Sequence, residues 1–132
     1  MTDKAGNTAG AEAPSPTLEE LTEALLRFRD ERDWKQFHTI KDLLLSLSLE
    51  AAEALELAQW KRAEALEAEA RPGGALHERL KEECADVLLY LLLIAEAAGF
   101  DLGAAAAGKI ALNARKYPAD KARGRADKYD RL

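Results

Sequence analysis

The chain reads as an all-α protein, a four-helix bundle that completes its core by homo-oligomerisation. Three observations predict this. The apolar content, 48% of 132 residues, is carried mostly by Leu and Ala with few β-branched residues, a mixture that favours helix over strand. Apolar positions recur at helical spacing, and no stretch alternates as a half-buried strand does. Two stretches, LLLSLSLEAAEALELAQW and EECADVLLYLLLIA, are apolar on nearly every side, which is more than one small bundle can hide.

Residues 1–17, MTDKAGNTAGAEAPSPT, are small or polar without apolar periodicity and predict a flexible tail. A helical domain follows over 18–120, with a C-terminal tail at 121–132. Thr17 and Glu20 form a capping box for a first helix in which Leu18, Leu21, Leu25 and Phe28 share a face, to about Asp33. WKQFH, 34–38, breaks that period and reads as a loop. Thr39 caps a second helix from Ile40 to roughly Ala70, with its Leu43–Leu57 portion buried all round and Pro72-Gly73-Gly74 as its stop. A third helix runs from about Leu76 to Ala98 and ends at Gly99. Asp101 caps a fourth, Leu102 to about Tyr117, which Pro118 stops. Beyond it Lys, Arg and Asp mix with no core-facing stripe, predicting a mobile end.

A net charge of −5 argues against a nucleic-acid polymer as partner. The longest apolar run, Val87 to Ala95, falls short of the ~20 residues a bilayer span needs, and the N-terminus has no apolar signal region. These features predict a soluble protein without membrane association. Cys84 is the only cysteine, so no internal disulfide can form; as a small core hydrophobe it fits a reducing, cytoplasmic setting.

The chemistry lies in four acids. Glu50 and Glu53, then Glu83 and Asp86, are pairs three residues apart inside the two most apolar stretches. Each pair occupies one helix face, and buried carboxylates are costly unless paired, protonated or neutralised by a cation. Two facing helices thus offer an all-oxygen cradle, with Tyr90 one turn beyond Asp86. No Glu-x-x-His pair suggests iron and no cysteine pair suggests zinc, so the ligand set points to Mg²⁺ or Mn²⁺ and to a phosphate-bearing substrate. Lys109, Asn113 and Lys116 form a cationic, hydrogen-bonding stripe on the fourth helix, suited to a triphosphate. Trp34, Phe37, His38 and Trp60 offer flat rings and a polar edge for a nucleobase. The alternative is a non-catalytic oligomeric interaction module, which needs neither the loop aromatics nor the cationic stripe.

At these residues the chain resembles the MazG-like all-α nucleoside triphosphate pyrophosphohydrolases, in particular their dCTP pyrophosphatase-like branch. The Glu-x-x-Glu, spacer, Glu-x-x-Asp pattern falls on Glu50, Glu53, Glu83 and Asp86. ERDWKQFH (31–38), QW (59–60), EECADVLLYLL (82–92) and NARKYP (113–118) carry the branch's more specific features. The resemblance implies Mg²⁺-dependent hydrolysis between the α- and β-phosphates of a (deoxy)nucleoside triphosphate, dCTP or a related pyrimidine nucleotide, by a homotetramer that cleanses the nucleotide pool. The alternative within enzymes is a dUTP-type or broad-specificity nucleotide hydrolase using the same acids. It further implies metal ligation by Glu50, Glu53, Glu83 and Asp86, with Glu53 the candidate to activate water. Trp34, Phe37, His38 and Trp60 are implied at the base and sugar, and Tyr90, Lys109 and Asn113 near the phosphates. In the animal enzymes a histidine of the first helix joins the nucleotide site; Leu25 stands in its place here.

Overall fold

The computed structural model describes residues 13–132 and is helical throughout, with no strand among the described residues. Most of the predicted N-terminal tail lies outside the described residues; 13–17 are exposed and non-helical. Helix α1, Leu18–Glu31, starts where the capping box predicts: Glu20 N donates to Thr17 Oγ1 at 3.1 Å and Thr17 N donates to Glu20 Oε2 at 3.0 Å. It ends just before Asp33, whose φ of +52° turns the chain. Gln36 Nε2 donates to the Asp33 carbonyl and carboxylate at 3.0 and 2.9 Å, fixing a single 3-10 turn at Lys35–Phe37. Helix α2, Ile40–Glu56, follows with Thr39 as its cap, accepting from Asp42 N at 3.1 Å.

The second helix does not run on to Ala70. It stops at Glu56, and a separate α3, Ala63–Ala70, follows a tight turn. No proline or glycine causes this break. Trp60 sits in the left-handed region at φ +63°, a strained position for a bulky residue. Tertiary contacts hold the turn: Lys61 Nζ bonds Glu69 Oε2 at 2.7 Å across it. Leu66 and Ala70 then border the same gap as Leu57, Leu76 and Leu80, so α3 folds back toward α4 instead of projecting into water. Gly73 adopts φ +83°, and a Cβ on Gly74 would collide with the Glu69 carbonyl, so this connection requires glycine. Helix α4, His77–Ala98, closes on Gly99 at φ +77°. Helix α5, Leu102–Lys116, begins with Ala104 N donating to the Asp101 cap at 2.7 Å, and a short α6 spans Ala119–Ala122.

The core is small and lies mainly along the seam between α2 and α4. Leu43, Leu57, Leu92, Leu93 and Ala95 are its fully buried apolar residues. On α2, Leu43, Glu50 and Leu57 are spaced by seven, which brings them to nearly one angle on the helix. A carboxylate therefore occupies the middle of the core stripe.

The opposite face of α2 is apolar too, but one chain does not cover it. Leu44, Leu45, Leu49 and Leu55 are 48–70% exposed, where all-round burial is predicted. Cys84 is likewise exposed rather than a core residue. The chain bends by 100° between α4 and α5, and Ile110 on α5 stays open to water. The C-terminal residues hold more local order than their composition suggests. The rings of Tyr117 and Tyr129 meet edge to face at 6.1 Å, and Arg125 bonds Asp127 and the Arg131 carbonyl. Among the described residues no single helix is long and apolar enough to cross a membrane.

Candidate active site

Helices α2 and α4 bring Glu50, Glu83 and Asp86 together, with one carboxylate oxygen of each within 4.8 Å of the others. The grouping follows from register: Glu50 centres the packed face of α2, while Glu83, Asp86, Tyr90 and Leu93 share one face of α4. Glu50 Oε2 and Glu83 Oε2 are buried without a hydrogen-bond partner. Glu53 stands beside the group, is itself exposed, and acts on two of its members electrostatically. Burial of the carboxyl oxygens, followed by the negative charge of Glu53, holds both Glu50 and Glu83 above the usual carboxylate range; Asp86 adds to both. Three convergent carboxylates, two of them with an orphaned buried oxygen, are what a hard divalent cation would satisfy. The residues present therefore fit such an ion.

Asp86 belongs to a second feature as well. A cleft of about 150 Å³ opens beside it, bounded by Leu25, Phe28 and Arg29 of α1, Trp34 and His38 of the connection, and Leu89, Tyr90 and Leu93 of α4. Phe28 and Trp34 meet edge to face with centroids 5.7 Å apart, and Arg32 stacks on the far side of Phe28 at 3.7 Å. His38 Nδ1 is buried without a partner. Desolvation, then the nearby Arg29 charge, pushes the His38 imidazole below its ordinary value, so it is neutral at pH 7.

Of the residues singled out in the sequence, Trp34, His38 and Tyr90 line one cleft with Asp86. The other expected substrate contacts lie outside this cleft in the single chain. Phe37 is 63% exposed and Trp60 is 94% exposed on its strained turn. Lys109, Asn113 and Lys116 are exposed on α5. From Asp86 to the end of α4 is about 18 Å at 1.5 Å per residue, and α5 then leaves at 100°. A lysine side chain cannot bridge that span, so the stripe does not reach the carboxylates of its own chain. Two cleft residues, Phe28 and Arg29, escape sequence reasoning. Phe28 looks like another member of the α1 core stripe. Arg29 looks like an ordinary solvated cation, and only its position one turn after Leu25 hints otherwise.

Comparison with known proteins places the fold in a family. Residues 45–132 match the model of the MazG-like family. Human dCTP pyrophosphatase 1 is 42% identical over 123 residues, spanning 91% of this chain and 70% of the relative. Its rat counterpart is 39% identical over 125 residues, with the same coverage. A crystal structure of a pyrophosphatase from Archaeoglobus fulgidus superposes with a TM-score of 0.68 at 40% identity, covering 82% of this chain and 98% of the other. Family match, sequence relatives and fold agree, and the chain belongs to the MazG-like family.

Proposed function

We propose that this chain hydrolyses a pyrimidine deoxynucleoside triphosphate, dCTP or a close relative, to the monophosphate and pyrophosphate in a Mg²⁺-dependent reaction. A dCTP diphosphatase-like enzyme is the reading supported by relatives named for that activity at about 40% identity over some nine-tenths of the chain. The observation that carries the substrate is Asp86, which belongs both to the carboxylate cluster and to the ring-lined cleft. A triphosphate anchored at the acids thereby sets its base against Phe28 and Trp34. A cavity of about 150 Å³ takes one six-membered ring such as benzene, a size that matches a pyrimidine.

In the mechanism, Glu50, Glu83 and Asp86 would hold the cation, with Glu53 completing the acid set. The ion supplies charge neutralisation at the triphosphate oxygens and at the departing pyrophosphate. Glu53, exposed at the edge of the cluster, takes a proton from the attacking water. The water oxygen bonds the α-phosphorus in line as the bond to the bridging oxygen breaks, and pyrophosphate leaves. Phe28 and Trp34 orient the base, with His38 and Tyr90 at its polar edge.

The exposed apolar face of α2 and the distant α5 stripe favour a homo-oligomer, a tetramer in this reading. A second copy would cover Leu45 and Leu49, and would bring Trp60 and the Lys109, Asn113 and Lys116 stripe to a neighbour's site. The deciding experiment incubates the four dNTPs and 5-methyl-dCTP with protein, with and without Mg²⁺, and separates the products. Monophosphate with equimolar pyrophosphate, formed only with metal and from pyrimidines first, is expected. No product from any nucleotide, with folded protein, overturns the proposal in favour of a non-catalytic helical interaction module.

A further inference from the structure

Arg29 is the only charged residue fully buried among those described, with its side chain 11% exposed. Burying a guanidinium demands compensation. Here that comes from Asp30 alone: Oδ1 accepts from Nε at 2.7 Å and lies 2.7 Å from Nη2. This clamp uses the lateral edge of the guanidinium. The terminal Nη1–Nη2 edge makes no hydrogen bond among the described residues. Arg29 and His38, whose buried Nδ1 also lacks a partner, both border the Phe28–Trp34 cleft, and both also border a neighbouring gap with Lys35 and Glu96. Leu25, one turn earlier on α1, offers that cleft no polar group.

Building on the hydrolase reading above, we propose that Arg29 selects the base: its terminal N–H pair donates to two adjacent acceptors on the edge of a cytosine ring, N3 and O2. The argument is one of matching donors to acceptors. Arginine has only donors, held in a rigid planar fork. Among the pyrimidines, cytosine alone has two neighbouring ring-edge acceptors. In uracil and thymine N3 carries a hydrogen, which sets a donor against the fork and leaves a buried guanidinium N–H unpaired. His38 complements this assignment. A neutral imidazole accepting at Nδ1 suits the amino group at C4 of cytosine, where uracil and thymine present a carbonyl oxygen. Substitution at C5 leaves the N3–O2 edge untouched, so 5-methylcytosine is read as cytosine.

The test compares kcat/KM for dCTP, 5-methyl-dCTP, dUTP and dTTP in the wild-type protein and in Arg29→Lys and Arg29→Met, each checked for folding by circular dichroism. A bidentate contact to a base is worth about 1–3 kcal/mol of discrimination. The ratio of kcat/KM for dCTP over dUTP is therefore expected to fall roughly tenfold to a hundredfold in both variants. Lysine keeps the charge and most of the stem, so Arg29→Lys decides the matter if Arg29→Met fails to fold. A ratio preserved within about twofold in Arg29→Lys would show that Arg29 only fills space or balances charge, and would overturn the inference. A wild-type enzyme that cleaves dCTP and dUTP equally well would overturn it too, while leaving the hydrolase reading intact. Absence of any triphosphate hydrolysis in the wild type would remove the reading on which it rests.

Discussion

Replacing Glu50 by leucine should stabilise the metal-free fold and abolish its response to divalent cation. Glu50 occupies the centre of the α2 stripe between the buried Leu43 and Leu57, and its Oε2 has no partner. Leucine restores an unbroken apolar heptad against α4. Fully burying a leucine side chain contributes about 1.5–3 kcal/mol. Position 50 is only partly enclosed, so about half of that applies, roughly 0.8–1.5 kcal/mol. For a domain near this size each kcal/mol moves the midpoint by about 4 °C, giving a rise of roughly 3–6 °C. Wild-type protein, by contrast, should gain about 2.7 kcal/mol from Mg²⁺ at a hundred times its Kd, or roughly 10 °C, and Glu50→Leu should gain nothing. Melting curves at one protein concentration, in EDTA and in excess Mg²⁺, measure all four quantities. A Glu50→Leu protein that melts below wild type in EDTA would refute the assignment of Glu50 to the core stripe. One that keeps the Mg²⁺-dependent rise would refute its role as a ligand.

The acid cluster also fixes a pH dependence. Glu50 and Glu83 titrate above the usual carboxylate range in the folded chain, so between that range and their raised values the native state holds more protons than the unfolded one. Metal-free stability should therefore fall as pH rises through this window, while Mg²⁺ affinity, which needs both acids ionised, should climb. Melting in EDTA and calorimetric titration of Mg²⁺ across mildly acidic pH should give slopes of opposite sign; slopes of the same sign would separate the raised acids from the metal site. Trp34→Ala should raise KM for dCTP by roughly tenfold, since ring stacking on a base is worth about 1–3 kcal/mol; an unchanged KM means Trp34 only packs against Phe28. Asp86→Ala should end turnover while leaving the helices folded, and full residual activity by the product assay would exclude Asp86 from the centre. Leu49→Glu, on the open face of α2, should dissociate the oligomer in light scattering and lower activity with it; an unchanged mass would place the interface elsewhere.

What was legible in the sequence, and what was not, divides along local and non-local physics. The capping box at Thr17, the caps at Thr39 and Asp101 and the left-handed Gly99 are each set by a side chain or backbone group within a few residues, and each sits where composition predicts. The α2–α3 break is different. It contains no helix breaker, and it depends on Lys61 closing back on Glu69 and on Leu66 reaching α4, the second a contact that no local window contains. The carboxylates were legible because charge inside an apolar stretch is expensive and so announces itself. Arg29 carries the same expense silently: Arg27, Asp30 and Glu31 surround it with charge along the chain, and only the packing of α1 on α4 shows that it is buried. The same contrast explains why the expected core around Leu44, Leu45 and Leu49 stays open in one chain. Apolar periodicity reports that a face is covered, without reporting whether the cover comes from the same molecule. For Trp60 and the α5 stripe, resemblance names residues for a site, and geometry then asks which copy's site they serve. The 100° departure of α5 from the helix that bears Glu83 and Asp86 carries its stripe away from the acids of the same chain, so a part for that stripe in the proposed reaction requires a second copy.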